Sequence, residues 1–163
     1  MTRYDEVTAE AGSFDELMEG FTAGLAETVR QDASMHRLWY DLRAQSLFEP
    51  AFRADVAEID KSLERMIWRV LSRFAELTGT PVRVPSNVAY AMFDGLFQQC
   101  LMKHLAGDRR AVAALKAQVR LVVGQLVGTV ASNKPVRQPR RSPVIPRATR
   151  RGAAASPAAS ASR

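Results

Sequence analysis

Residues 52–77 read FRADVAEIDKSLERMIWRVLSRFAEL, and within this stretch Phe52, Val56, Ile59, Leu63, Met66, Val70, Phe74 and Leu77 recur at steps of four and three. That spacing keeps apolar side chains on one side of a 3.6-residue helix and is incompatible with the two-residue alternation of a half-buried strand. Pro50 suits the first turn of a helix, where its missing N–H has no intrahelical partner, and Gly79 and Pro81 supply a stop. The spacing predicts a helix over about 50–78, roughly 40 Å long. Trp68 falls about 200° around the helix from Met66, so the helix is expected to pack on two sides and to act as the central post of an all-α antiparallel bundle.

Toward the N-terminus, Tyr4, Val7 and Ala11 sit at helical spacing in a segment too short for a domain. Ser13 then opens a helix, with Glu16 placed to complete a capping box and Phe14, Leu17, Met18, Phe21, Leu25 and Val29 on its apolar face. A third helix is expected from near Ser34, with Met35, Leu38, Trp39 and Leu42, breaking around Phe48-Glu49-Pro50. Toward the C-terminus the reading is a helical hairpin over 86–132. Ser86 caps its first helix, Gly107 ends it, and Asp108 caps the second, which runs to about Ser132. Both members are apolar beyond what one face requires, and Gly124 and Gly128 would let another helix come close. A body of about 130 residues has little interior to hide such a pair. The expected cover is a second copy of the chain, in a four-helix interface using Leu96, Cys100, Leu115, Val119, Val122, Val123 and Leu126, with Val119, Val122 and Leu126 facing outward. The alternative is a monomer centred on the hairpin.

Charge divides the chain in two. Its net charge is +6, yet residues 1–133 hold 15 basic against 17 acidic residues, and the last 30 hold 8 basic residues and no acidic one. Residues 133–163 are mostly Pro, Arg, Ala and Ser with Val136, Val144 and Ile145 as their large apolar residues, a composition that predicts a disordered tail. Arg140-Arg141 and Arg150-Arg151 fit loose, sequence-independent contact with nucleic-acid phosphates, or a merely solubilising role. A single cysteine excludes an intrachain disulfide, and there is neither a signal-peptide pattern nor an 18-residue uncharged apolar run. A cytoplasmic protein with no membrane association is expected.

The sequence offers little for catalysis. His36 and His104 lie in different helices without carboxylate or thiol partners at metal-ligand spacing, and there is no glycine-rich phosphate loop or G-x-S-x-G elbow. Cys100, in an apolar segment, reads as a buried inert thiol. No enzyme activity, metal or cofactor is expected. Lys61, Arg65, Arg69 and Arg73 form a basic row that is either a solvated face, eased by Glu64 and Glu76, or an anion site. Asp94 and Gly95 interrupt an apolar helix, so Asp94 either reaches solvent or marks a cavity. Phe21, Met35, Trp39, Met66, Trp68, Met92, Phe93 and Phe97 form an aromatic and methionine-rich set that fits either ordinary core or the wall of an apolar pocket.

The run LWYDLRAQSLFEPAFRADV from Leu38 to Val56, the long helix after it and MFDGLF at Met92 to Phe97 resemble the C-terminal regulatory domain of TetR-family transcriptional regulators. The likeness covers roughly Tyr4 to Ala131 and consists of helix lengths and apolar positions. It implies an effector pocket among the middle helices, here Phe21, Met35, Trp39, Leu42, Met66, Met92, Phe93 and Phe97, and homodimerisation through the last two helices. Family members begin with a helix-turn-helix domain, and nothing before Ser13 has that pattern. Residues 1–12 then match the end of the helix joining the two domains, and 13–132 an effector-binding and dimerisation domain. The resemblance thus implies a regulator, a repressor by family habit, that senses an apolar small molecule and reaches specific DNA only through an absent N-terminal domain. The competing reading is a stand-alone helical protein-interaction module.

Overall fold

The structure, a computed structural model, describes residues 3–128. Its helices are α1 (Arg3–Glu10), α2 (Phe14–Gln31), α3 (Ala33–Gln45), α4 (Arg53–Thr78), α5 (Ser86–Leu105) and α6 (Ala111–Val127), with a 3-10 turn at Pro50–Phe52 before α4. The described residues contain no strand, so the all-α expectation holds. The tail expected over 133–163 lies outside the described residues, and the final helix, expected to run to about Ser132, ends at Val127 with Gly128 in the left-handed conformation.

The element at the centre is α2 rather than α4. It packs against each of the other five helices and buries Leu17, Met18, Phe21, Thr22, Gly24, Leu25, Ala26 and Val29. α4 buries Val56, Ile67, Val70, Leu71 and Phe74, while Ile59, on the seam read from the sequence, is 41% exposed. The reason is rotational: the C-terminal half of α4 turns Ile67 and Leu71 inward with Val70 and Phe74, and Leu63 and Met66 are left half-buried. Trp68 does not meet a second apolar layer. It is half-buried in a shallow groove with Lys61, Glu64, Arg65, Arg69 and Ser86.

The helix ends obey local chemistry, with corrections. Ser13 is extended, and its hydroxyl accepts the Glu16 N–H at 3.2 Å, but the Glu16 carboxylate accepts from the Gly12 N–H at 2.9 Å instead of from Ser13. Gly79 takes the left-handed conformation, φ +65°, that ends α4. Ser86 does not cap α5; its hydroxyl donates to Glu64 on α4. Asp108 accepts the Arg110 N–H at 2.8 Å in a turn, and α6 starts only at Ala111. Gly128 opens no helix contact. It terminates α6 in the left-handed region beside Arg83, which donates to the Gln125 carbonyl through its side chain and to that of Leu126 through its backbone.

α1 is clamped rather than loose. Arg69 pairs with Asp5 at 2.9 Å, and Arg73 donates to the Ala11 carbonyl at 3.0 Å while pairing with Glu76. Half of the basic row on α4 is therefore committed to holding the N-terminal segment. Gly20 brings α1 and α2 into close approach: a Cβ there would lie 2.5 Å from a methyl of Val7.

The hairpin of α5 and α6 needs the largest correction. Cys100, Leu115, Val119, Val123 and Leu126 are buried by the chain's own helices, at 5% exposure or less, so they belong to the core and not to an outer face. Leu96 and Val122 are half-buried. The periodicity was right that these residues share a stripe, but the stripe faces α2 and α4 in the same chain. The exposed residues of α5 are Asn87, Val88, Ala91, Gly95, Gln98, Gln99, Met102, Lys103 and Leu105, and the row Val88, Gly95 and Met102 along them is uncharged, with Lys103 beside its end. α6 adds Leu121, 62% exposed.

Candidate functional site

α3 leans on α2 and α5 without burying a residue fully, and this incomplete contact leaves a cavity of about 240 Å³. Its wall is assembled from five helices: Tyr4; Leu25, Thr28 and Asp32 from α2 and its end; Met35, His36, Trp39 and Tyr40; Leu63, Met66 and Ile67; Tyr90, Phe93, Asp94 and Phe97. Helical spacing explains the set. On α5, Tyr90, Phe93, Asp94 and Phe97 stand at i, i+3, i+4 and i+7, and on α3, Met35, His36, Trp39 and Tyr40 form one stripe.

Five of the eight residues expected for the pocket line it: Met35, Trp39, Met66, Phe93 and Phe97. Phe21 lies one layer behind, 99% buried, with its ring edge-on to Phe93 at 5.8 Å and to Tyr4 at 6.0 Å. Leu42 and Met92 are half-buried and do not line the cavity. What sequence reasoning missed is chiefly polar: Asp32, His36, Tyr40 and Tyr90. The interruption at Asp94 was the usable signal, since a carboxylate inside an apolar helix needs partners, and here it has them.

Those partners form a network along one wall. Asp94 accepts from the Tyr40 hydroxyl at 2.9 Å and from the Arg43 guanidinium at 2.5 Å; Arg43 also pairs with Asp60 at 3.3 Å, and Asp60 accepts from the Tyr90 hydroxyl at 2.6 Å. Three helices are thereby cross-linked by groups that are mostly shielded from water. Burial pushes the Tyr40 phenol well above its ordinary range, with the charge and hydrogen bond of Asp94 adding to it; burial does the same for Tyr90, helped by the hydrogen bond to Asp60. Both phenols therefore stay protonated and act as donors.

The opposite edge is less satisfied. His36 stacks edge-on to Phe97 at 4.9 Å, and burial lowers its pKa against the opposing charge of Asp32. The Trp39 indole N–H is buried without a hydrogen-bond partner among the described residues, a deficit of the order of 1–3 kcal/mol that an acceptor on a bound molecule would remove. Tyr4 closes the end of the cavity, its hydroxyl 3.2 Å from that of Thr28.

Cys100 is buried in the core, and burial raises its thiol pKa. Among the described residues no cluster of His, Cys, Asp or Glu is placed to hold a metal ion, and no helix is long and apolar enough to cross a membrane. Compared with known proteins, the chain matches no family model, no curated protein and no solved structure.

Proposed function

We propose that this chain is the ligand-binding and dimerisation module of a TetR-like transcriptional regulator, a repressor released by a hydrophobic small molecule. The observation that carries the reading is the half-open cavity among α2, α3, α4 and α5, walled by Met35, which is 59% exposed at its mouth, and by Trp39, Met66, Phe93 and Phe97. At about 240 Å³ it lies a little under the roughly 300–1,000 Å³ usual for ligand pockets, which suits a compact molecule. Tyr4 on α1 belongs to the wall, so occupancy has a direct route to α1 and to whatever DNA-reading domain it joins. Specific operator binding belongs to that domain and not to residues 13–132. The uncharged outward row of α5 supports a homodimer whose contact is Val88, Gly95, Met102 and Leu105 in place of the buried residues first expected.

The test is a thermal-shift screen of apolar small molecules, read together with tryptophan emission from Trp39. A ligand that binds only the folded chain stabilises it by about 2.7 kcal/mol at a hundredfold excess over its Kd. At least one compound is expected both to raise Tm and to change the emission, and Met66→Phe, which puts a rigid ring on one wall, is expected to weaken both responses without unfolding the chain. A broad screen without such a compound overturns the proposal.

A further inference from the structure

The cavity's charge has one sign. Asp32 and Asp94 are its charged lining residues, and no lysine or arginine lines it. Arg43 stands behind Asp94 but is shared with Asp60, so one guanidinium serves two carboxylates and that group keeps a formal charge of −1. The Asp32 carboxylate has neither a hydrogen bond nor an ion pair among the described residues, and it caps no helix with its side chain. Six aromatic rings share the wall, from Tyr4, Trp39, Tyr40, Tyr90, Phe93 and Phe97.

We propose that the cavity selects an organic cation: a compact apolar body carrying one ammonium group, held by the Asp32 carboxylate and the surrounding aromatic faces, with Asp94 and Asp60 supplying a further negative field. Ring faces attract a cation through their quadrupole, most strongly where water is excluded. An uncharged ligand of the same shape gains the apolar contact alone. A carboxylate ligand meets the Asp32 charge and the net −1 of the Asp94–Arg43–Asp60 group, with no lysine or arginine lining the cavity to repay its desolvation. The inference rests on the reading of the cavity as a ligand site and adds the ligand's charge.

The test uses the whole chain and three probes with one apolar body, 4-phenylbutylammonium, 4-phenylbutanol and 4-phenylbutyrate, measured by isothermal titration calorimetry at low salt. The ammonium is expected to bind about tenfold or more tighter than the alcohol, a gap worth ~1.4 kcal/mol, with the carboxylate weakest. Asp32→Asn, which removes no helix cap, is expected to narrow the ammonium–alcohol ratio by at least about threefold. An alcohol or carboxylate that binds as tightly as the ammonium overturns the charge selection and leaves the cavity reading standing. A ratio unchanged in Asp32→Asn overturns it as well, and failure of all three probes to bind overturns the cation selection, the reading of the cavity as a ligand site being decided by the broad screen.

Discussion

Gly95 is where the fold and the proposed assembly make separate demands, so Gly95→Arg distinguishes them. In the middle of α5 a glycine costs about 1 kcal/mol relative to alanine, and arginine is nearly as good a helix former as alanine. A Cβ added at Gly95 meets no atom within 4 Å, so nothing inside the chain uses the missing side chain. Val88 and Met102, one heptad to either side, are 42% and 60% exposed, and the row between them carries no charge. A second copy laid on this row would bring a facing helix closest at the glycine. The protomer is therefore expected to gain up to about 1 kcal/mol from Gly95→Arg, seen as an unchanged or raised urea midpoint for the monomeric chain. The dimer is expected to lose at least about 2.7 kcal/mol, a hundredfold in Kd, because two guanidinium groups are desolvated near the twofold axis without partners. Sedimentation velocity at micromolar concentration should show a dimer for the natural chain and a monomer for Gly95→Arg, with far-UV circular dichroism the same for both. A monomeric natural chain, or a Gly95→Arg variant that sediments as the natural chain does, refutes the interface.

Gly20→Ala is the contrasting glycine: its Cβ would meet Val7 at 2.5 Å, so it should destabilise by about 1–2 kcal/mol in urea unfolding despite the better helix propensity, and Val7→Ala in the same chain should restore most of the loss. Val119→Asp places a carboxylate at a site 1% exposed, so it should leave the chain unfolded by circular dichroism rather than yield the folded monomer that an interface residue would give. His36 has its folded pKa below the unfolded value of 6.5 because burial disfavours the imidazolium. The unfolded chain therefore takes up that proton first, and the stability from neutral His36 is present above pH 6.5 and lost as pH falls from 6.5 through the lowered pKa. His36→Phe should flatten that part of a urea-midpoint profile; an identical slope in both proteins counts against the burial of the ring.

The sequence alone determined the helices. Their number and order, and some of their ends, were legible because helix formation reads local spacing and terminal chemistry: the four-and-three recurrence from Val56 to Leu77, the Ser13 cap and the left-handed Gly79 and Gly107 are settled within a few residues of chain, whereas the end of α6 at Gly128 was not read. Five pocket residues were legible for the same reason, since aromatic and methionine side chains at helical spacing on successive helices converge.

Only the tertiary structure decided which side of each helix faces in. On a helix apolar most of the way round, such as α6, periodicity cannot distinguish a stripe covered by its own chain from one covered by a second copy, and Val119 and Leu126, which the pattern leaves free to face outward, are buried within the chain. The choice of α2 over α4 as the hub depended on close approach at Gly20 and on the turn of Ile67 and Leu71 into the core, both set by partners distant in sequence. The polar wall was hidden for a related reason. Tyr40, Arg43, Asp60 and Tyr90 each look like solvent-facing residues singly, with Asp94 the one interruption to read, and a charge or hydroxyl becomes part of a site only when folding brings its partner within hydrogen-bond reach, here across up to 54 residues of chain.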